Sequence, residues 1–160
     1  MLLRQNRVSF WENCILPGNR YYDKMGLIQS LYTGDKKRKM EKKIRLGHIG
    51  MSHDHSGQKL ATARKYPDIF EIVGICEEKD AVYERLKNHP DYQGIPRLTT
   101  EQFFNSDLDA VLVEGFELDL VRLGQMCIDN DLPIHLDKPA GDDIVAFEKM
   151  LRDAKSKHLT

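Results

Sequence analysis

Three short stretches carry residues whose type and spacing could do chemistry: the turn Gly50-Met51-Ser52-His53-Asp54-His55, the pair Glu77-Glu78, and Asp137-Lys138-Pro139. A phosphate-binding turn of G-x-G-x-x-G spacing uses its first glycine for a tight turn, its second for close backbone approach to a pyrophosphate, and its third for helix packing. Counting from Gly50 puts Ser52 and His55 in the second and third places. Counting from Gly47 puts Ile49 and Ser52 there and buries the turn inside a strand, so Gly50 is the better start. Ser52 is small and could add a hydroxyl donor to a phosphate, while His55 would hold the helix slightly away from the sheet. The backbone N–H groups opening that helix would still form an anion site, and Met51 and His53 belong to the same cofactor-facing turn.

Glu77 stands 27 positions after Gly50. An acidic side chain at that strand end accepts hydrogen bonds from an adenosine ribose and repels a 2′-phosphate, which favours NAD over NADP. Lys138 follows the apolar run PIHL; a lysine at the carboxyl end of a parallel strand can aim its ammonium at a substrate oxygen, and Pro139 keeps Lys138 out of helical geometry. Turn glutamates and loop lysines are ordinarily solvated, so it is their place at strand ends that singles these out. His48, His53, Asp54 and His55 are clustered donors, but zinc needs three or four converging ligands. No further Cys or His partner is legible, so no metal is expected. His135, within a strand, reads as a core residue, and His89 and His158 as surface.

The elements that must position these groups alternate. Ile44–Ile49 reads as a strand, followed by the turn and a helix over Ser56–Lys65; Phe70–Cys76 is a second strand and Lys79–Asn88 a second helix. A short extended piece spans Ile95–Leu98, and Thr99 or Thr100 caps a helix behind it. Asp109–Glu114 is the next strand, Leu118–Asn130 a helix, Pro133–Leu136 a strand, and Asp142–Lys157 a last helix with Ile144, Phe147, Met150 and Leu151 on one face. Alternating strands and helices imply right-handed crossovers and a parallel sheet, and near-continuous apolar strands such as AVLV suit a sheet covered on both faces. The fold class expected is α/β, a doubly wound parallel sheet.

The 160 residues allow one domain with an appendage. Character changes at Met40: residues 1–39 lack sustained periodicity and end in Lys36, Lys37, Arg38 and Lys39, so they read as an N-terminal extension, with Met40 the expected native start and 40–160 the domain. A net charge of −1 gives no reason to expect nucleic acid or a membrane surface as partner, and no stretch is apolar over the roughly 20 residues a bilayer needs. Cys14, Cys76 and Cys127 form neither a disulfide framework nor a metal pair, so a reducing cytoplasm is expected, with Cys76 and Cys127 as buried hydrophobes.

Taken in order, IRLGHIGMSHDH, EIVGICEEKD, DAVLVEGFELD and above all IHLDKPAG resemble the N-terminal domain of the glucose-fructose oxidoreductase, inositol dehydrogenase and rhizopine-catabolism (Gfo/Idh/MocA) family. The resemblance covers about residues 40–158, with Asp137 where the family has glutamate in its Glu-Lys-Pro motif. It implies a Rossmann-like NAD(P)-binding domain of an oxidoreductase that transfers hydride to or from a sugar, polyol or related small molecule. Gly50, Met51, Ser52 and His53 would then hold the pyrophosphate, and Glu77 the ribose. Glu114, Gly115 and Pro139 would lie by the nicotinamide, with Lys138 as the catalytic, substrate-facing lysine. The sixth strand and the second, substrate-holding domain are not legible, so a small-molecule substrate and a family-type oligomer are expected only if that domain is supplied. The alternatives are a non-catalytic NAD(P)-binding or sensing module and a truncated fragment without turnover.

Overall fold

The computed structural model describes residues 42–159; the boundary at Met40 and the extension 1–39 lie outside the described residues. Among the described residues a parallel sheet of four strands runs in the order β2 (Phe70–Cys76), β1 (Ile44–Ile49), β3 (Ala110–Val113), β4 (Ile134–Leu136). Arg97 adds a parallel bridge to Ile75 on the outer side of β2, so the piece expected at Ile95–Leu98 stands where a third strand of the doubly wound order 3-2-1-4-5 belongs. The pairing of β1 with β2 shifts between Leu46 and Gly47, where the partner steps from Ile72 to Gly74.

The sheet is covered on both faces, as its apolar strands require. On one face Met51, Leu60, Ile75 and Tyr92 form a core under α1 (Ser56–Arg64) and α2 (Asp80–Leu86). On the other, Ile49, Cys76, Phe103, Val111, Val113, Leu120, Leu123 and Cys127 pack with α3 (Thr100–Phe104) and α4 (Leu120–Asp129). The two cysteines are buried as expected. α4 is led in by a 3-10 turn at Glu117–Asp119, and it buries Leu120, Val121, Leu123, Gly124, Cys127 and Ile128 on one stripe, the pattern of a helix with one face on a sheet.

The last helix, α5 (Ile144–Ser156), corrects one expectation. Ile144 and Leu151 are 64% and 51% exposed, and of the residues read onto one face only Met150 is buried, with Phe147 partly so. The inward stripe is Ala146, Phe147, Met150, Asp153 and Ala154. Its rotation is fixed by the Met150 sulfur seated against Gly124 of α4 and by Gln125 donating to Asp153 at 2.9 Å. His135 is the second correction: its side chain is 59% exposed on β4 rather than in the core. The buried histidines are His48, which is fully buried, and His53.

Candidate functional site

In an open parallel sheet, ligands bind beyond the carboxyl ends of the strands where the order reverses. Here that point lies between β1 and β3, and the turn leaving β1 is pinned to both neighbours. Gly50 has φ +83°, and a side chain there would come within 2.5 Å of the Cα and N of Gly115; only glycine tolerates both the conformation and the approach. The Gly50 N–H donates to the Cys76 carbonyl at 2.8 Å, and the His53 N–H to the Glu114 carbonyl at 3.2 Å. The tight turn thus begins at Gly50, while Gly47 lies inside β1.

Glu77 is 6% exposed, not a solvated turn residue. One carboxylate oxygen accepts the Met51 N–H at 2.7 Å and the other the Lys79 N–H at 2.9 Å. It braces the turn and leaves its negative charge at the foot of the cleft. A shallow cleft lies above it and is lined by Gly50, Ser52, Glu77, Gly115 and Arg122 among others. Two ion pairs cross from the end of β2 to the start of α4: Glu78 with Arg122 at 2.5 Å and Lys79 with Asp119 at 2.6 Å. The Ser52 hydroxyl has no hydrogen-bond partner among the described residues. His55 is exposed; the next residue, Ser56, is buried and meets His48 of β1 at 3.0 Å, while Gly57 packs against Asp91.

Behind the turn sits a group of charges that the sequence did not reveal as a unit. The parallel register Val113↔Leu136 places Glu114 and Asp137 side by side just past the strand ends. Lys59 of α1 reaches between them, its Nζ 2.7 Å from Glu114 Oε1 and 2.8 Å from Asp137 Oδ1. His53 Nδ1 stands 2.6 Å from Asp137 Oδ2, and His135 Nδ1 lies 3.8 Å from Glu114 Oε1. Glu114 is fully buried and Asp137 6% exposed. Burial pushes the Glu114 carboxyl up to about 7, against the pull of Lys59. Burial also pushes Asp137 up, but hydrogen bonds from Lys59 and from the Lys138 backbone, with the nearby Lys59 and His53, hold it down at about 2. Two neighbouring carboxyls are thereby driven apart by their surroundings.

Of the residues singled out in the sequence, Gly50, Ser52, Glu77 and Gly115 line one cleft. The side chains of Met51, His53 and Glu114 are turned inward and buried, so they shape the turn from behind. Lys138 and Pro139 are exposed after β4, joined by a cis peptide bond, and neither lines the cleft. His53 has convergent partners after all: one donor atom each of His53, Glu114 and Asp137 lie within 4.8 Å of one another. Lys59 was missed; the signal available was two acids ending adjacent parallel strands, which demand a buried cation between them.

No family model matches the chain, and no curated protein does. Solved structures match its fold. An oxidoreductase from Agrobacterium radiobacter in complex with NAD+, L-tartaric acid and magnesium is 15% identical, with a TM-score of 0.61 over 74% of this chain and 34% of its own. The WlbA dehydrogenase from Chromobacterium violaceum, in complex with NADH and UDP-GlcNAcA, is 15% identical, with a TM-score of 0.64 over 75% of this chain and 34% of its own. KijD10, a 3-ketoreductase from Actinomadura kijaniata in complex with TDP-benzene and NADP, is 19% identical, with a TM-score of 0.59 over 74% and 37%. The chain spans little more than a third of the length of the structures it matches.

Proposed function

We propose that this chain, whose fold is that of Gfo/Idh/MocA-type oxidoreductases, is the nicotinamide-dinucleotide-binding part of an oxidoreductase transferring hydride to or from a sugar, polyol or related small molecule. The observation that carries the reading is the contact of Gly50 with Gly115 at the switch point, a bare-backbone approach beside a cleft that opens at the carboxyl ends of the strands. Similar structures holding NAD+, NADH or NADP support the cofactor class, and the one holding UDP-GlcNAcA supports a sugar-like substrate.

On this reading Gly50 and Ser52 face the pyrophosphate, with the Ser52 hydroxyl as a donor, and Gly115 lies toward the nicotinamide. Glu77 faces the adenosine ribose while holding Met51, and its charge favours NAD over NADP. Met51, His53 and Glu114 fix the turn's shape. Lys138 and Pro139 lie on the nicotinamide side, with Lys138 polarising the substrate oxygen in the complete enzyme.

Fluorescence titration of the chain with NADH and with NADPH tests the reading. NADH is expected to saturate and to bind at least tenfold more tightly than NADPH. In Glu77→Gln, which keeps an acceptor for the Met51 N–H but loses the charge, that preference should fall severalfold. A folded protein that binds neither nucleotide would overturn the assignment; a preference unchanged in Glu77→Gln would remove Glu77 from the ribose site.

A further inference from the structure

The Lys59, Glu114, Asp137 and His53 group goes beyond nucleotide binding. Its members come from the turn after β1, from α1 and from the ends of β3 and β4, so their meeting is fixed by the sheet rather than by one flexible loop. Two acid side chains share a single ammonium, and the second Glu114 oxygen, in a fully buried side chain, has no hydrogen-bond partner. The pocket thus holds a cation at contact distance from two carboxylates and leaves acceptor capacity unused.

One imidazole nitrogen and two carboxylate oxygens are the donor set of zinc and neighbouring first-row ions; magnesium and calcium favour all-oxygen shells with water. A divalent ion would engage both carboxyl groups, including the Glu114 oxygen that the ammonium leaves without a partner. Lys59 can make room: its side chain is 24% exposed, on a flexible four-carbon stem that leads outward. From this arrangement we infer that His53, Glu114 and Asp137 form a site for a divalent transition metal, zinc first among them, whose place the Lys59 ammonium takes in this structure. Binding exchanges the ammonium for the ion, with His53 coordinating through Nδ1, the nitrogen that faces Asp137.

The experiment is a competition titration of Zn2+ alone against a chromophoric chelator, in the absence of nucleotide, so its failure leaves the nucleotide reading untouched. The wild-type chain is expected to bind one equivalent. Asp137→Asn and His53→Ala should each weaken binding tenfold or more, and Lys59→Met should tighten it at least tenfold. Because Lys59→Met strips two buried carboxylates of their counter-charge, its thermal melting is followed as well. Zn2+ should raise its melting temperature, and should not do so in Lys59→Met/Asp137→Asn. The inference fails if neither the wild type nor Lys59→Met takes up one equivalent. It fails equally if uptake is unchanged in Asp137→Asn and His53→Ala, which would assign the zinc to surface donors such as His55.

Discussion

His48 shows how a single buried side chain sets the acid response of the protein. Its Nε2 lies 3.0 Å from Ser56 Oγ, which in turn meets the Tyr92 hydroxyl at 2.7 Å. Burial, aided by the charge of Lys59, lowers its pKa from 6.5 to about 3. The unfolded chain therefore takes up a proton below pH 6.5 that the folded chain refuses until about pH 3, and this residue's contribution to stability declines with acid across that window. The difference in unfolding free energy between wild type and His48→Gln should shrink by about 1 kcal/mol per pH unit below pH 6.5. Urea denaturation of both proteins at pH 7 and pH 5 checks this, and parallel pH profiles would rule it out. At the same scale, Gly50 was legible because the fingerprint spacing and the strand end agree on it. Glu77 was legible in place but not in attitude, since nothing in its sequence tells that both its oxygens are taken by backbone N–H groups. Which histidine lies inside was misread, because strand alternation alone does not say which face of a three-residue edge strand is covered.

Among the elements, α3 is held by local signals strong enough to read directly. Thr99 accepts the Gln102 N–H at 3.2 Å while Gln102 accepts the Thr99 N–H at 2.9 Å, a reciprocal capping box. With only five residues, the helix depends on that cap to present the fully buried Phe103. Thr99→Ala should cost about 1 kcal/mol and Thr99→Ser far less, read as a shift of the denaturation midpoint at unchanged slope; equal midpoints for both variants would deny the cap its role. α5 shows the opposite case. Its apolar spacing pointed to Ile144, Phe147, Met150 and Leu151, but of these only Phe147 and Met150 turn inward, beside Ala146, Asp153 and Ala154. Small side chains and the Gln125–Asp153 hydrogen bond outweigh two larger apolar residues, and neither term has a period that a sequence displays.

For the molecule as a whole, the alternation of strands and helices was enough for the architecture, because parallel strands joined by helices have few ways to pack. What the alternation left unread was register. β3 and β4 were each visible as apolar runs, yet only their pairing, Val113 against Leu136, brings Glu114 beside Asp137 and so creates the need for Lys59. A functional group assembled from three separated segments has no signature in any one of them. The cleft is legible only in part along the chain: Gly50 and Ser52 belong to one turn, while Glu77, Gly115 and Arg122 join it from other segments.

That shared ammonium has a consequence for how the sequence can drift. Positions 59, 114 and 137 are bound into one constraint, so a change at one alters what is tolerated at the others. Without an added metal ion, Lys59→Met alone leaves two buried acids uncompensated and should cost about 3 kcal/mol or more, whereas Lys59→Met with Glu114→Gln should recover a large part of that loss. A double-mutant cycle followed by thermal melting measures the coupling directly. Strict additivity would mean the three sites vary independently; strong coupling would mean lineages carrying this fold cross between charged and neutral versions of the triad only through paired substitutions.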